Sequence, residues 1–404
     1  MSRPAETPNI PVLLTEGFRI FFFSAAVFAV LAMAVWLAWL GVHAAGGVLT
    51  YVPFAVPAHQ WHAHEMVFGY ASAALAGFFL TAVPNWTGTP PSRAVYVTGL
   101  AAVWLVGRMV MFVSSEIPAL LVMTIDILFL PLLALNILQN LIKRPKPQNL
   151  LFLGLLAMLT AANILVHLEW AGVTNETAPG GLRMGLLTLA AMITILGGRV
   201  TPGFTRNAMT RQGIETGLPN SPSVLNATGI AGAVVLALLI PFDVPAFVLG
   251  GVALFAAIAN ALRLAGWRTD AILDQPILWS LHLGFAMLAA GYAALALAWL
   301  GSGVGEAAAL HVLGIGAVGG MTLAVMSRAA LGHTGRPLIV ARPIAFAYLL
   351  VALAALVRSL ALTILPNAYF TVMFVAGGLW IAAFIIFICV YAPVVTSARL
   401  DRAM

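Results

Sequence analysis

Twelve apolar stretches, each close to the twenty or so residues an α-helix needs to cross a bilayer, follow one another along this 404-residue chain. They run approximately Ile20 to Gly41, His62 to Pro84, Val95 to Val113, Ile117 to Ile142, Leu150 to Gly172, Leu182 to Val200, Val224 to Pro241, Pro245 to Gly266, Pro276 to Leu300, Ala307 to Leu331, Ile344 to Leu365 and Tyr369 to Pro393. Loops rich in Pro, Gly and charge separate them, and none is long enough to hold a water-soluble domain. With 62% hydrophobic and 8% charged residues, the chain has too few polar groups to cover a water-soluble core. The expectation is an all-α integral membrane protein of about twelve transmembrane helices, one polytopic domain over residues 1–404.

Basic residues sort the loops. Arg3 precedes helix 1, Arg93 follows helix 2, and Lys143, Arg144 and Lys146 follow helix 4. Arg206 and Arg211 follow helix 6, Arg268 follows helix 8, Arg336 and Arg342 follow helix 10, and Arg399 and Arg402 follow helix 12. The alternate loops carry mainly acid, namely Glu116, Glu176, Asp243 and Glu306. Because cytoplasmic loops hold the Lys/Arg excess, both termini are expected in the cytoplasm. The first apolar run is too long for a signal-peptide core and lacks a small-residue cleavage site, so it should persist as helix 1.

A faint internal repeat links the even helices. His64 precedes Thr87-Gly88 by 23 residues, and His311 precedes Thr334-Gly335 by the same 23. Pro202 and Thr205 echo Pro84 and Thr87 more weakly, and Arg108 and Arg358 follow the two Thr-Gly pairs at similar distances. Three four-helix units, about 1–142, 143–266 and 267–404, would be parallel repeats around an axis normal to the membrane, with helices 2, 6 and 10 facing one another.

Composition narrows the chemistry. The single cysteine, Cys389, rules out a disulfide framework or a cysteine-based zinc or iron-sulfur site within one chain. The net charge of +6 comes from 19 dispersed basic residues, so nucleic acid is not an expected partner. Gly314-x-Gly316-x-x-Gly319-Gly320 has the look of a nucleotide fingerprint but falls mid-membrane, where glycines serve close helix packing.

Ionisable groups inside a bilayer cost roughly 2.5–3.5 kcal/mol each on insertion scales, which makes the few present candidates for function. His59, His62, His64 and Glu65 sit at the outer entrance to helix 2, His167 late in the outward-running helix 5, and His311 early in the inward-running helix 10. Histidines from three helices thus share one level and suit haem iron or copper, with zinc less favoured. His62 and His64 cannot point the same way on one helix, so the string serves two sites or is partly unwound. His62, His64, His167 and His311 are expected to approach one another there, with His59 as an alternate ligand and Glu65 orienting a ring or handling protons. His282 and His333 lie toward the cytoplasmic side as the remaining metal candidates, and His43 ends helix 1 in a Gly/Ala-rich stretch. Arg108 and Arg358 lie within the outer half of helices 3 and 11 and need anionic partners. Asp126 across the hairpin is one candidate for Arg108, and a haem propionate is a candidate for either.

The string from His59-Gln60-Trp61-His62-Ala63-His64-Glu65-Met66 to Tyr70, followed by Gly77-Phe78-Phe79-Leu80-Thr81-Ala82-Val83-Pro84-Asn85-Trp86-Thr87-Gly88, resembles the signature of NnrS proteins. So do Gly17-Phe18-Arg19, Asn163 with His167, Gly198-Arg199-Val200-Thr201-Pro202-Gly203-Phe204-Thr205-Arg206-Asn207, Leu281-His282-Leu283-Gly284, and Ser327-Arg328 through His333-Thr334-Gly335-Arg336. The resemblance covers nearly the whole chain. It implies a bacterial inner-membrane protein of twelve helices that binds haem and copper and belongs to the response to nitric oxide, often alongside denitrification. Arg19, in the second group of motifs, joins Arg108 and Arg358 as a candidate cofactor-binding residue.

Three functions compete at this level. The first is a haem-copper redox protein, with b-type haem, that binds or turns over nitric oxide under nitrosative stress, its electron donor left open. Such a centre needs six histidines, and seven are present once His43 is set aside. The second is a metal-handling or protective protein without turnover, and the third is a secondary transporter, since twelve helices with internal repeats also describe many carriers.

Overall fold

The computed structural model describes residues 10–145 and 147–400, and all its regular elements are helical. Arg3, Lys146 and Arg402, three of the basic residues used to orient the chain, lie outside the described residues. Twelve long helices succeed one another: α1 Gly17–Ala44, α2 Ala58–Thr87, α3 Ala94–Phe112, α4 Ala119–Lys143, α5 Pro147–Trp170, α6 Thr177–Arg211, α7 Ser223–Leu239, α8 Ala246–Ala265, α9 Pro276–Trp299, α10 Glu306–His333, α11 Arg342–Ile364 and α12 Tyr369–Thr396. Eleven are long and apolar enough to cross a membrane. The exception, α7, has 17 residues. At about 1.5 Å per residue it is roughly 25 Å long, a little under the ~30 Å hydrocarbon thickness.

Local sequence sets the helix ends. Pro57, Pro118, Pro222 and Pro245 each stand immediately before a helix with ψ between 131° and 138°. Proline belongs at this boundary because it has no N–H to leave unpaired and its ring fixes φ. The Thr-Gly pairs close α2 and α10: Thr87 Oγ1 donates to Val83 O (2.8 Å), Thr334 Oγ1 donates to Ala330 O (2.6 Å), and Gly88 and Gly335 turn away with φ of +66° and +71°.

Two helices depart from what hydropathy suggests. α6 extends to 35 residues, past Val200, where the apolar stretch ends, and through Pro202. A helix does not stop where its side chains become polar, and Pro202 costs it a single intrahelical hydrogen bond. α4 is interrupted between Ile127 and Phe129. Pro131 has no N–H to offer the carbonyl of Ile127 four residues earlier, and Asp126 sits just before the gap.

α1 packs along α12 and α2, α4 along α5, and α8 along α9, while α2, α6 and α10 touch one another in the middle of the bundle. Glycine lets α1 and α2 approach closely, since a Cβ on Gly77 would fall 2.6 Å from the Phe22 ring. Of these middle helices, α2 and α10 change winding within the bundle, adopting π-helix over Glu65–Ala71 and Val312–Gly319. Each π segment begins one residue after a histidine, His64 or His311. Side chains take up carbonyls of the wider turns: Trp104 Nε1 and Ser72 Oγ donate to Gly69 O at 3.0 and 3.2 Å, and Thr322 Oγ1 donates to Val318 O at 2.7 Å. Such segments in a membrane helix frequently mark functional sites.

Candidate functional site

At about 100° per residue, His62 and His64 leave α2 on nearly opposite sides. The structure uses both directions. His64 turns toward α3, α4 and α5, where Asn163 and His167, four apart on α5, present one face. Its ring is fully buried. His64 Nδ1 lies 2.8 Å from Glu65 Oε1, and Nε2 lies 2.9 Å from Asn163 Oδ1 and 3.3 Å from Asp126 Oδ2. Asn163 Nδ2 and His167 Nε2 donate to Asp126 Oδ2 at 2.8 and 2.9 Å. Arg108 joins the two acids, donating from Nη1 to Glu65 Oε1 at 2.6 Å and from Nη2 to Asp126 Oδ1.

Every charged member of this network is buried. Two carboxylates against one guanidinium leave one negative charge over. Both nitrogens of His64 face oxygen acceptors, so an imidazolium donating from both restores neutrality without any further group. Glu65 Oε2 alone among the carboxylate oxygens here is buried without a partner. One nitrogen each of His64 and His167 and one oxygen of Asp126 lie within 4.8 Å of one another, a spacing that a metal ion can bridge. The donor set of two imidazoles and a carboxylate suits copper(II) or iron(II). A metal here would take the place of the His64 proton and satisfy the same excess charge.

His62 turns the other way, into a cavity of about 400 Å³. Its ring stacks on Trp36 of α1 with centroids 4.9 Å apart, and its Nδ1 is buried without a hydrogen-bond partner. His59, His311, Arg183 and Arg358 line the same cavity, with Met66, Tyr70 and Met373. His311 Nδ1 donates to Ala307 O at 2.6 Å, which fixes the tautomer and leaves Nε2 as a lone-pair donor. Arg183 pairs with Glu306 at 2.6 Å, whereas Arg358 has no ion pair among the described residues.

The four histidines expected to converge therefore divide into two groups, His64 with His167 and His62 with His311, and His59 joins the second. Arg108 takes protein carboxylates as its partners. Arg19 lies at the opposite end of the bundle, with Nε on Glu16 at 2.8 Å and Nη1 on the carbonyls of Val395 and Ser397 at 2.9 and 2.8 Å, where it fastens α1 to the end of α12. His282 bonds Thr205 and Thr269, both at 2.8 Å, and His333 packs beside Phe18; among the described residues neither joins a cluster of possible metal ligands. Asn163 has a part that sequence reasoning did not give it, bridging His64 and Asp126. Its spacing of four from His167 was the available signal.

The NnrS protein family model matches residues 12–399 of the 404-residue chain. The chain belongs to the NnrS family. No curated protein matches it. Membership in the NnrS family supports a nitric-oxide-response membrane protein, and the helices above are those of a multi-pass protein.

Proposed function

We propose that this NnrS-family chain is a bacterial inner-membrane protein, both termini cytoplasmic, that binds haem and copper near its histidine-rich end and reacts with nitric oxide there. The observation that carries the reading is the cavity in which His59, His62 and His311 meet an arginine, Arg358, that no carboxylate among the described residues neutralises. Its volume of about 400 Å³ falls in the ~300–1,000 Å³ range of small-molecule pockets. The imidazole of His62 and the free Nε2 of His311 are groups that could hold haem iron, and Arg358 suits a propionate.

Internal comparison supports this use of Arg358. The offset of 247 residues from His64 to His311 carries Glu65 to Val312 and Asp126 to Met373, and brings Arg108 within one helical turn of Arg358. Where one arginine has two acids of its own, the other has apolar side chains and a cavity. An external carboxylate fills the role in the second place that Glu65 and Asp126 fill in the first.

His64, Asp126 and His167 form the copper candidate, and their network supplies the negative charge that a cation needs. Haem held by these residues would supply an iron able to bind nitric oxide, and copper would supply a second redox-active metal. The chain's own contribution is to hold His311 in one tautomer through Ala307, to clamp the His62 ring on Trp36, and to pair Glu65 and Asp126 with Arg108.

Optical spectra and metal analysis of the purified protein test the reading. Wild type is expected to carry haem and copper; His62→Ala, His311→Ala and Arg358→Ala should lose most of the haem, and His167→Ala the copper, with each variant still folded in the membrane. Wild-type protein without either metal, or full haem in all three cavity variants, overturns it.

A further inference from the structure

A second cavity, of about 80 Å³, lies between α1, α2, α6 and α10 beside the histidine cavity. Its lining is apolar apart from Thr322: Phe22, Ala74, Phe78, Leu196 and Val325 are representative. Leu189 and Val318 belong to the walls of both cavities. Tyr70 faces the histidine cavity and Thr322 the apolar one, and their hydroxyls are hydrogen-bonded across α2 and α10. Thr322 also donates to Val318 O at 2.7 Å, so its oxygen accepts the hydrogen bond that the Tyr70 hydroxyl donates. Tyr70 and Val318 both lie in π segments, which place them at this junction.

We infer that the apolar cavity is a binding and transit site for small uncharged gas molecules, separated from the histidine cavity by Leu189, Val318 and the Tyr70–Thr322 hydrogen bond. Size and polarity select the occupant. A space of about 80 Å³ admits a diatomic molecule and excludes anything the size of a porphyrin. A bound water needs two to four polar partners, and the one hydroxyl in this lining is already engaged, so an apolar guest is favoured over water. An ion would have to shed its hydration with nothing in the walls to replace it, which excludes protons, metal ions and anions from this route. Nitric oxide, apolar and soluble in the bilayer, has the matching chemistry; that particular guest rests on the function proposed above, whereas the site for an uncharged gas does not.

Xenon is the probe. Crystals of the wild-type protein under xenon pressure should show the atom between Ala74, Leu196 and Val325, and Ala74→Phe or Val325→Phe should remove it. In protein carrying haem, the same substitutions should slow nitric oxide binding at least threefold after flash photolysis with the optical spectrum unchanged, and Thr322→Val, which breaks the junction hydrogen bond, should speed it. No xenon in the wild-type cavity, or xenon retained in both filled variants, overturns the site. Xenon lost from the filled variants with binding rates unchanged overturns the transit role. Protein that takes up xenon but carries no haem supports the gas site and refutes the haem reading alone, so the two failures are distinguishable.

Discussion

Arg108 grips Asp126 through one guanidinium nitrogen and Glu65 through the other, joining α3 to α4 and α2 in a region closed to solvent. The pairing is a condition for folding these helices together more than a source of net stability. Desolvating the ions costs about what their attraction returns, while removing one partner leaves the others buried and uncompensated.

Arg108→Ala should therefore destabilise the bundle by about 3–5 kcal/mol, because two buried carboxylates would lose their cation. Thermal unfolding in detergent measures it, and adding Asp126→Asn to Arg108→Ala should restore part of the loss. Arg358→Ala serves as the contrast. Arg358 is half-buried and balances no carboxylate among the described residues, so in haem-free protein its removal should leave the unfolding temperature nearly unchanged. Equal losses in the two single variants would contradict the distinction drawn between the two arginines.

Asn163→Leu should destabilise the protein by about 3 kcal/mol. The amide accepts from His64 and donates to Asp126, and hydrogen bonds to charged groups contribute about 1.5–3 kcal/mol each. Leu keeps the volume and removes both. An unfolding temperature within a degree of wild type would show that the network holds without its bridge.

Gly77→Ala should cost about 1–3 kcal/mol, the usual penalty for forcing an extra carbon into a packed interior. The new Cβ would meet the buried ring of Phe22, which has little room to move. Gly99, whose Cβ would meet nothing, is the control: Gly99→Ala should be neutral or slightly stabilising, since Ala is the better helix former.

Hydropathy made the twelve helices legible because a membrane helix announces itself by length and absence of charge. The ends were less so: α6 runs past its apolar stretch, because backbone hydrogen bonding is indifferent to the polarity of Thr201 or Arg206. Helical geometry at His62 and His64 left two sites open as one alternative, but the four histidines were expected to converge, and the structure divides them. His167 was expected near His64 from their shared level, but nothing local to His64 points to Asp126 and Asn163, which join them through the packing of α2, α4 and α5. The π segments were invisible in sequence, since winding is decided by how Trp104, Ser72 and Thr322 meet freed carbonyls in the assembled bundle.

Orientation in the membrane gives the last prediction. Lys143 and Arg144 end α4, Arg206 and Arg211 lie in the last turns of α6, and Arg268 follows α8, all at one end of the bundle; His59 and His311, early in α2 and α10, belong to the other. Since cytoplasmic ends collect Lys and Arg, the histidine cavity should open toward the outside of the cell and the end bearing Arg19 toward the cytoplasm. Cysteines placed one at a time at Gly46 and Val173, both exposed in loops at the histidine end, should react with a membrane-impermeant maleimide added to intact spheroplasts. A cysteine at exposed Gly213, in the loop after α6, should react only after lysis. The native Cys389 is exposed within α12, so the scan should be made in a Cys389→Ala background. The reverse pattern would put the histidines on the cytoplasmic side and turn the proposed topology over.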